Sequence, residues 1–66
     1  MSAGSLQVGE QFKLNRPTFL HNGIFVFQGC TVTVKSVEDS TVTVEFIDRE
    51  GFPHLLAEVS PDELER

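Results

Sequence analysis

Two runs of alternating residues, separated by a short polar segment, leave this chain few folds to adopt. Strand side chains point to opposite faces in turn, so a period of two collects the apolar residues of each run on one face. The intervening Glu38-Asp39-Ser40 is typical of a turn. We therefore predict that residues 31–37 and 41–47 pair as an antiparallel hairpin, with a β-bulge where the apolar parity switches at Ser36-Val37. The apolar residues that share one parity are Cys30, Val32 and Val34 before the turn, and Val42, Val44 and Phe46 after it.

The segment before this hairpin carries a further strand and a strong turn signal. Three apolar residues of one parity predict a half-buried first strand, entered through a kink at Gly9 and ended by Pro17; they are Val8, Phe12 and Leu14. Asn22-Gly23 tolerates positive φ at both positions and indicates a tight hairpin. The alternative is a longer loop that carries Phe19 back over one end of the fold.

The C-terminal segment predicts one more strand and a short helical turn. The strand is expected over about residues 54–59, with Pro53 at its start, where a strand proline is tolerated. Ser60 and Glu63 have the spacing of a capping box, with a proline at the first helical position. Only about one turn of chain remains, so we expect a 3₁₀ or α turn in which Leu64 covers one end of the core.

Length and charge set broad limits on the protein. Sixty-six residues make one domain, which we divide into a loose terminus at residues 1–5 and a folded part at residues 6–66. Ten acidic residues against five basic ones give a net charge of −5, which disfavours generic nucleic-acid binding and adsorption to anionic membranes. The sequence shows neither a secretory signal nor a stretch long enough to span a membrane, so we expect a cytoplasmic protein.

The strand pattern resembles that of the SH3-like small β-barrels. The segments that carry the resemblance are Val8-Gly9-Glu10-Gln11-Phe12, the pair Val32-Thr33-Val34 and Val42-Thr43-Val44, and Ser60-Pro61-Asp62-Glu63-Leu64. The resemblance covers residues 6–66 and implies an all-β fold, a small five-stranded antiparallel barrel with one helical turn near the C-terminus. Members of this architecture are mostly binding modules, including small phage or plasmid accessory proteins. The chain has no Trp or Tyr, which departs from the aromatic grooves and cages of peptide-binding SH3 domains and methyl-lysine readers.

Reactive residue types are present but not in the patterns that chemistry needs. Cys30 with His21 or His54 could form a thiol nucleophile and base. However, Cys30 is in phase with the core valines, so we predict a buried, inert thiol. Two distant histidines and one cysteine lack the spacing of a metal site. The carboxylates of Glu45, Asp48 and Glu50 are expected on a solvated face. We therefore expect no catalytic residues, no cofactor and no enzyme activity.

Ile24-Phe25-Val26-Phe27 is the most informative segment for function. Two of these four apolar side chains must point away from the core, because strand side chains alternate. Either Phe19, Leu20 and the N-terminal arm cover them, or they meet a partner. Leu55-Leu56 poses the same question, and the acidic residues near the C-terminus either cap the helical turn or face a partner. The candidate partner-binding residues are therefore Phe25, Phe27, Leu55, Leu56, Glu58 and Glu63.

Two functions are compatible with this surface. We expect a small protein-protein binding module, acting as an accessory, regulatory or inhibitory protein, whose partner is another protein or a second copy of the chain. The alternative is a nucleic-acid-binding barrel, which would require the basic residues to gather beside Phe19 or Phe52. Those basic residues are Lys13, Arg16, Lys35 and Arg49.

Overall fold

Strands and a single 3₁₀ turn form the regular structure of residues 6–65. The computed structural model describes residues 6–65, and the predicted loose terminus at residues 1–5 lies outside this range. The 3₁₀ turn is Pro61–Glu63. The strands are β1 (Gln11–Leu14), β2 (Phe19–His21), β3 (Ile24–Val26), β4 (Thr31–Val37), β5 (Val42–Ile47), β6 (Pro53–Val59) and β7 (Leu64–Glu65).

Five of the strands form one antiparallel sheet in the order β6-β5-β4-β1-β7, and β2 and β3 form a separate two-stranded sheet. The predicted pairing of residues 31–37 with 41–47 is confirmed by β4 and β5, in which Val34 lies opposite Val44. The register shifts between Val34 and Ser36, so the bulge lies one residue earlier than the parity switch suggests. The all-β class is thus confirmed, with seven strands described where five were expected.

The core lies on one face of the five-stranded sheet and receives one buried residue from the hairpin. Its members come from the inward-facing positions of four strands, with Val26 added from β3. Alternation explains the members from the central hairpin, because every second residue of β5 and of β4 up to the bulge faces inward. The buried residues are Phe12, Leu14, Val26, Val32, Val34, Val42, Val44, Phe46, Leu56 and Val59.

The large sheet is strongly bent. Its outer strands, β6 and β7, would lie about 19 Å apart if five strands were laid flat at the usual spacing of about 4.8 Å. They are nevertheless joined by Ser60 and the 3₁₀ turn alone, and such a turn advances only about 2 Å per residue. The edges must therefore curl toward each other. Among residues 6–65 the two edges share no ladder, so these strands do not close into a barrel by hydrogen bonding.

The start of the first strand differs from the prediction. Val8 shares the parity of Phe12 and Leu14 but is exposed, and β1 begins only at Gln11. The reason is the turn at Gly9, whose φ of +96° lies in the left-handed region and redirects the chain before the strand starts. The Gly9 N–H donates to the Val34 carbonyl at 2.8 Å, which fixes this turn against β4.

The local turn signals are confirmed at the β2–β3 loop and at the 3₁₀ turn. Asn22 and Gly23 have φ values of +52° and +79°, and they form the two-residue loop of the tight β2–β3 hairpin. The Ser60 hydroxyl accepts from the Asp62 N–H, and the Glu63 carboxylate accepts from the Ser60 N–H, which completes the predicted capping box. The short β7 that follows, paired with β1, was not predicted.

Candidate partner-binding surface

The β2–β3 hairpin places two phenylalanines outside the core. Val26 is buried, whereas Phe25 and Phe27 keep 62% and 59% of their surface exposed. Leu20 does not cover them, since it lies opposite Phe25 in the hairpin and is itself 61% exposed. Phe19 packs against the core instead. Of the two alternatives left open by the sequence, the described residues therefore favour the uncovered face.

Phe25 and Phe27 line a groove of about 480 Å³ between the hairpin and the end of β5. Ile47, the last residue of β5, contributes a third exposed apolar side chain at 57% exposure. Half-buried Ile24 and buried Phe46 complete the apolar part of the lining. The volume lies within the range of small binding clefts, roughly 300–1,000 Å³. We call Leu20, Phe25, Phe27 and Ile47 the apolar patch.

Aromatic and polar contacts hold one side of the groove in place. The Phe46 ring stacks on His54 with centroids 5.3 Å apart and meets the edge of His21 at 6.2 Å. His21 Nε2 lies 3.1 Å from the Leu55 carbonyl oxygen. Because a carbonyl oxygen only accepts, this contact requires the hydrogen to be on Nε2. The hairpin is thereby tied to β6 by a side chain rather than by a strand ladder.

Asp48 organises the turn at the mouth of the groove. Its Oδ1 accepts from the N–H groups of Glu50 and Phe52 at 2.9 and 2.8 Å, and its Oδ2 lies 2.8 Å from His54 Nε2. The hydrogen bond from His54, with those from the two N–H groups, holds the pKa of Asp48 below its ordinary value. Its carboxylate is thus engaged within the protein, which leaves the adjacent Arg49 as the groove charge that meets solvent.

Arg49 lines the groove and makes no ion pair with any residue in the described range 6–65. Two of the other basic residues that the nucleic-acid alternative needs, Arg16 and Lys35, have carboxylates of the same chain as neighbours. Arg16 does lie over the Phe19 ring, 4.9 Å from its centroid, but both its Nε and Nη2 donate to Glu63, at 3.0 and 2.6 Å. Lys35 Nζ lies 3.8 Å from a Glu45 carboxylate oxygen.

Cys30 also lines the groove, and the prediction that it is buried is wrong. It packs against the core but is only half-buried, because it precedes β4 at the end of a turn in which its N–H donates to the Phe27 carbonyl. Desolvation raises the pKa of the Cys30 thiol. A raised pKa lowers the fraction of reactive thiolate at neutral pH.

The remaining predicted partner-binding residues lie apart from the groove lining. Leu55 is 59% exposed on β6, whereas its neighbour Leu56 is only 4% exposed and belongs to the core, which removes it from any exposed patch. Glu58 is exposed in a bulge of β6. Glu63 is held by Arg16 and by the capping box, and the hydrogen bond from Arg16 lowers its pKa. Its carboxylate therefore has a structural role.

Two residues that line the groove beside the phenylalanines, Ile47 and Arg49, were not predicted as partner-binding residues. The signal for Ile47 was present, because it directly follows Phe46, whose parity places it in the core. An apolar residue next to an inward-facing one must point outward. Arg49 carries no such signal, since its approach to Phe25 and Phe27 depends on how the hairpin folds over the sheet.

Comparison of the chain with protein-family models, with curated proteins and with solved structures found no match. Residues 6–65 contain no group of three or more histidine, cysteine or acidic side chains placed to hold a metal ion. In the same range no helix has the length and apolar character needed to cross a bilayer.

Proposed function

We propose that this protein is a small non-enzymatic protein-binding module, acting as an accessory, regulatory or inhibitory protein by occupying a partner's surface. The observation that carries the proposal is the groove in which Phe25, Phe27 and Ile47 are each more than half exposed. Large apolar side chains gathered on one surface are typical of protein interaction sites, whereas single exposed ones are ordinary.

The energetics support a partner at this groove. Burying a Phe or Ile side chain that was exposed is worth about 1.5–3 kcal/mol. A 66-residue domain has a total stability of roughly 3–10 kcal/mol, so three such side chains represent a large unused contribution. A partner that covers them recovers this free energy as affinity, reduced by the entropy lost on association.

The proposed architecture is an SH3-like small barrel. In support, the central β4–β5 hairpin, the bent five-stranded sheet and the 3₁₀ turn before the last strand occur in the order that the sequence resemblance implies. This assignment concerns the scaffold only, because small barrels of this kind carry many different functions. The binding proposal rests on the groove and would stand on another all-β scaffold.

The charge distribution favours a protein over a nucleic acid as the partner. The net charge of −5 opposes long-range attraction to phosphates. Arg16 and Lys35, two of the basic residues that the alternative would need, have carboxylates of the same chain as neighbours. Arg49 is the basic residue that lines the groove with Phe25 and Phe27, and stacking supported by one such charge would give weak affinity for a single strand.

Affinity capture from a lysate of the source organism tests the proposal. Immobilised wild-type chain is compared with Phe27→Asp, which places a charge in the groove, and with Val8→Asp, a matched change at an exposed valine outside the groove lining. Circular dichroism first establishes that both variants are folded. We expect proteins retained by the wild type and by Val8→Asp to be lost from Phe27→Asp. Equal retention by all three would show that the groove is not the binding surface.

A further inference from the structure

We propose that the occupant of the groove is a second copy of this chain, in a two-fold symmetric dimer. The inference rests on the proposed binding function and names the partner of the same surface. Closed two-fold pairs are the commonest oligomers of soluble proteins, and in them one surface patch meets itself. The apolar patch and the charges beside it have the size and the self-complementarity that such a pair requires.

The area of the apolar patch matches what a dimer of ordinary size needs. Its four side chains, Leu20, Phe25, Phe27 and Ile47, are each about 60% exposed. Side chains of this size then offer on the order of 450 Å² of accessible surface. A standard interface buries about 800 Å² per partner, of which about 56–58% is apolar, or roughly 450 Å². The patch therefore supplies the apolar share of one half of such an interface.

The charges at the groove are also self-complementary. Arg49 is exposed and has no ion pair within residues 6–65, and the neighbouring Glu50 is exposed in the same turn. In a two-fold interface, if Arg49 of one copy meets Glu50 of the other, the reverse contact forms as well. Two equivalent ion pairs then flank the apolar patch, and neither requires a partner of a different charge.

Pairing through the free edge of β6, the longer of the two edge strands of the large sheet, is a competing way to join two copies, and this edge is poorly suited to it. Pro53 has no N–H to donate, and the Leu55 carbonyl already receives His21 Nε2. Glu58 adopts a φ of +63° where the register of β6 shifts, which bends the strand. Prolines and bulges of this kind protect edge strands from pairing. The side-chain groove is therefore the surface that we assign to the second copy.

Sedimentation equilibrium over a range of protein concentrations tests the dimer directly. We expect the wild type and Val8→Asp to show a reversible monomer–dimer equilibrium with the same dissociation constant. Phe27→Asp should raise that constant at least about tenfold, the size expected when an aromatic residue central to an interface is lost. Arg49→Glu should weaken association, and the double variant Arg49→Glu, Glu50→Arg, which restores the net charge, should recover it.

Salt dependence gives a second readout. Each copy carries −5, so their long-range repulsion opposes association at low ionic strength. Raising the salt from about 10 mM to about 150 mM shortens the screening length from about 30 to about 8 Å and should tighten the dimer. Weaker association at higher salt would mean that attraction between unlike charges, rather than the apolar patch, dominates the interface, and this would overturn the assignment.

A chain that stays monomeric at all concentrations, or a dimer that is equally strong in Phe27→Asp, would overturn the inference. These results are distinguishable from failure of the proposed function. If the wild type is monomeric but captures a protein that Phe27→Asp does not, the groove is a binding surface with a different occupant. If no groove-dependent capture and no dimer are found, both proposals fail.

Discussion

The five-stranded sheet and the β2–β3 hairpin use their apolar residues in opposite ways. Of the ten buried apolar residues described, nine belong to the sheet, and only Val26 belongs to the hairpin. The hairpin and the residue after it instead present Leu20, Phe25 and Phe27 to solvent. Side chains alternate between the two faces in both regions, so the regions differ in the residue types that point away from the core.

On the outer face of β4 and β5 the alternation is largely polar, as expected for a sheet with one solvated side. On β3, by contrast, the side chain that points outward is the aromatic Phe25. A two-stranded ribbon is marginally stable by itself. This hairpin is attached to the sheet through buried Val26, through Phe19 and Ile24 packed against the core, and through the His21 contact to β6. The sheet supplies the stability of the domain, and the hairpin supplies the surface that we assign to binding.

Replacing one large apolar residue by alanine in each region tests whether the sheet, and not the hairpin phenylalanines, stabilises the domain. Leu14→Ala removes a completely buried side chain of β1 and should cost about 2–5 kcal/mol, enough to unfold much of the population of so small a domain. Phe25→Ala should change the free energy of unfolding by less than about 1 kcal/mol, because most of its surface is already in water. Urea denaturation followed by circular dichroism measures both. Similar losses would mean that Phe25 is covered in solution.

The segment between the sheet and the hairpin is tied down by an ion pair, which supplies the next test. Arg16 makes two hydrogen bonds to Glu63 and lies over Phe19, so Arg16→Ala should cost on the order of 1–1.5 kcal/mol of unfolding free energy. Lys35→Ala is the matched control, since the Lys35–Glu45 contact is a single exposed pair at 3.8 Å worth at most about 0.5 kcal/mol. Equal losses would show that the bidentate geometry adds nothing.

Sequence reasoning predicted those parts of the molecule that local chemistry determines. The β4–β5 hairpin follows from alternation around a polar turn, the tight β2–β3 loop follows from Asn22-Gly23, and the capping box follows from Ser60 and Glu63. Phe25 and Phe27 were recognised as surface candidates because a period of two cannot bury four consecutive apolar residues on one side of a sheet.

Features that depend on distant contacts could not be predicted in the same way. Val8 has the parity of a core residue, but the left-handed turn at Gly9 ends the pattern before β1. The pairing of Leu64 with Leu14 joins residues 50 positions apart and leaves no local signal. The arrival of Arg49 and Ile47 beside the hairpin phenylalanines depends on the packing of the two sheets, which alternation does not specify.

Backbone strain separates the two regions in a further way. Asn22 in the hairpin and Glu58 in the sheet both have left-handed φ values, +52° and +63°. Asn tolerates this conformation, whereas a longer side chain is disfavoured by roughly 1–2 kcal/mol. Glu58→Gly should therefore raise the free energy of unfolding by up to about 1 kcal/mol, and Asn22→Gly should change it less. Thermal unfolding of both variants measures this, and a destabilised Glu58→Gly would indicate that the Glu58 side chain makes a stabilising contact.

Acid titration should give the smallest effect, because it tests one turn at the junction of the two regions. Hydrogen bonds from His54 and from the turn N–H groups hold the pKa of Asp48 below its ordinary value. The ionised carboxylate therefore stabilises the fold above the pKa that Asp48 has in the unfolded chain, and this contribution is lost as the pH falls through the lower, folded-state pKa.

Asp48→Asn removes this titration, so the part of the stability difference that comes from the ionised carboxylate should shrink as the pH falls below about 4. Urea denaturation at a series of pH values measures the difference. Glu63 also has a lowered pKa, but it is present in both proteins and cancels from the comparison. If the same variant also weakens dimerisation at neutral pH, the turn that carries Arg49 must be held by Asp48 for the groove to bind. An unchanged dissociation constant would show that the groove binds without the Asp48 carboxylate.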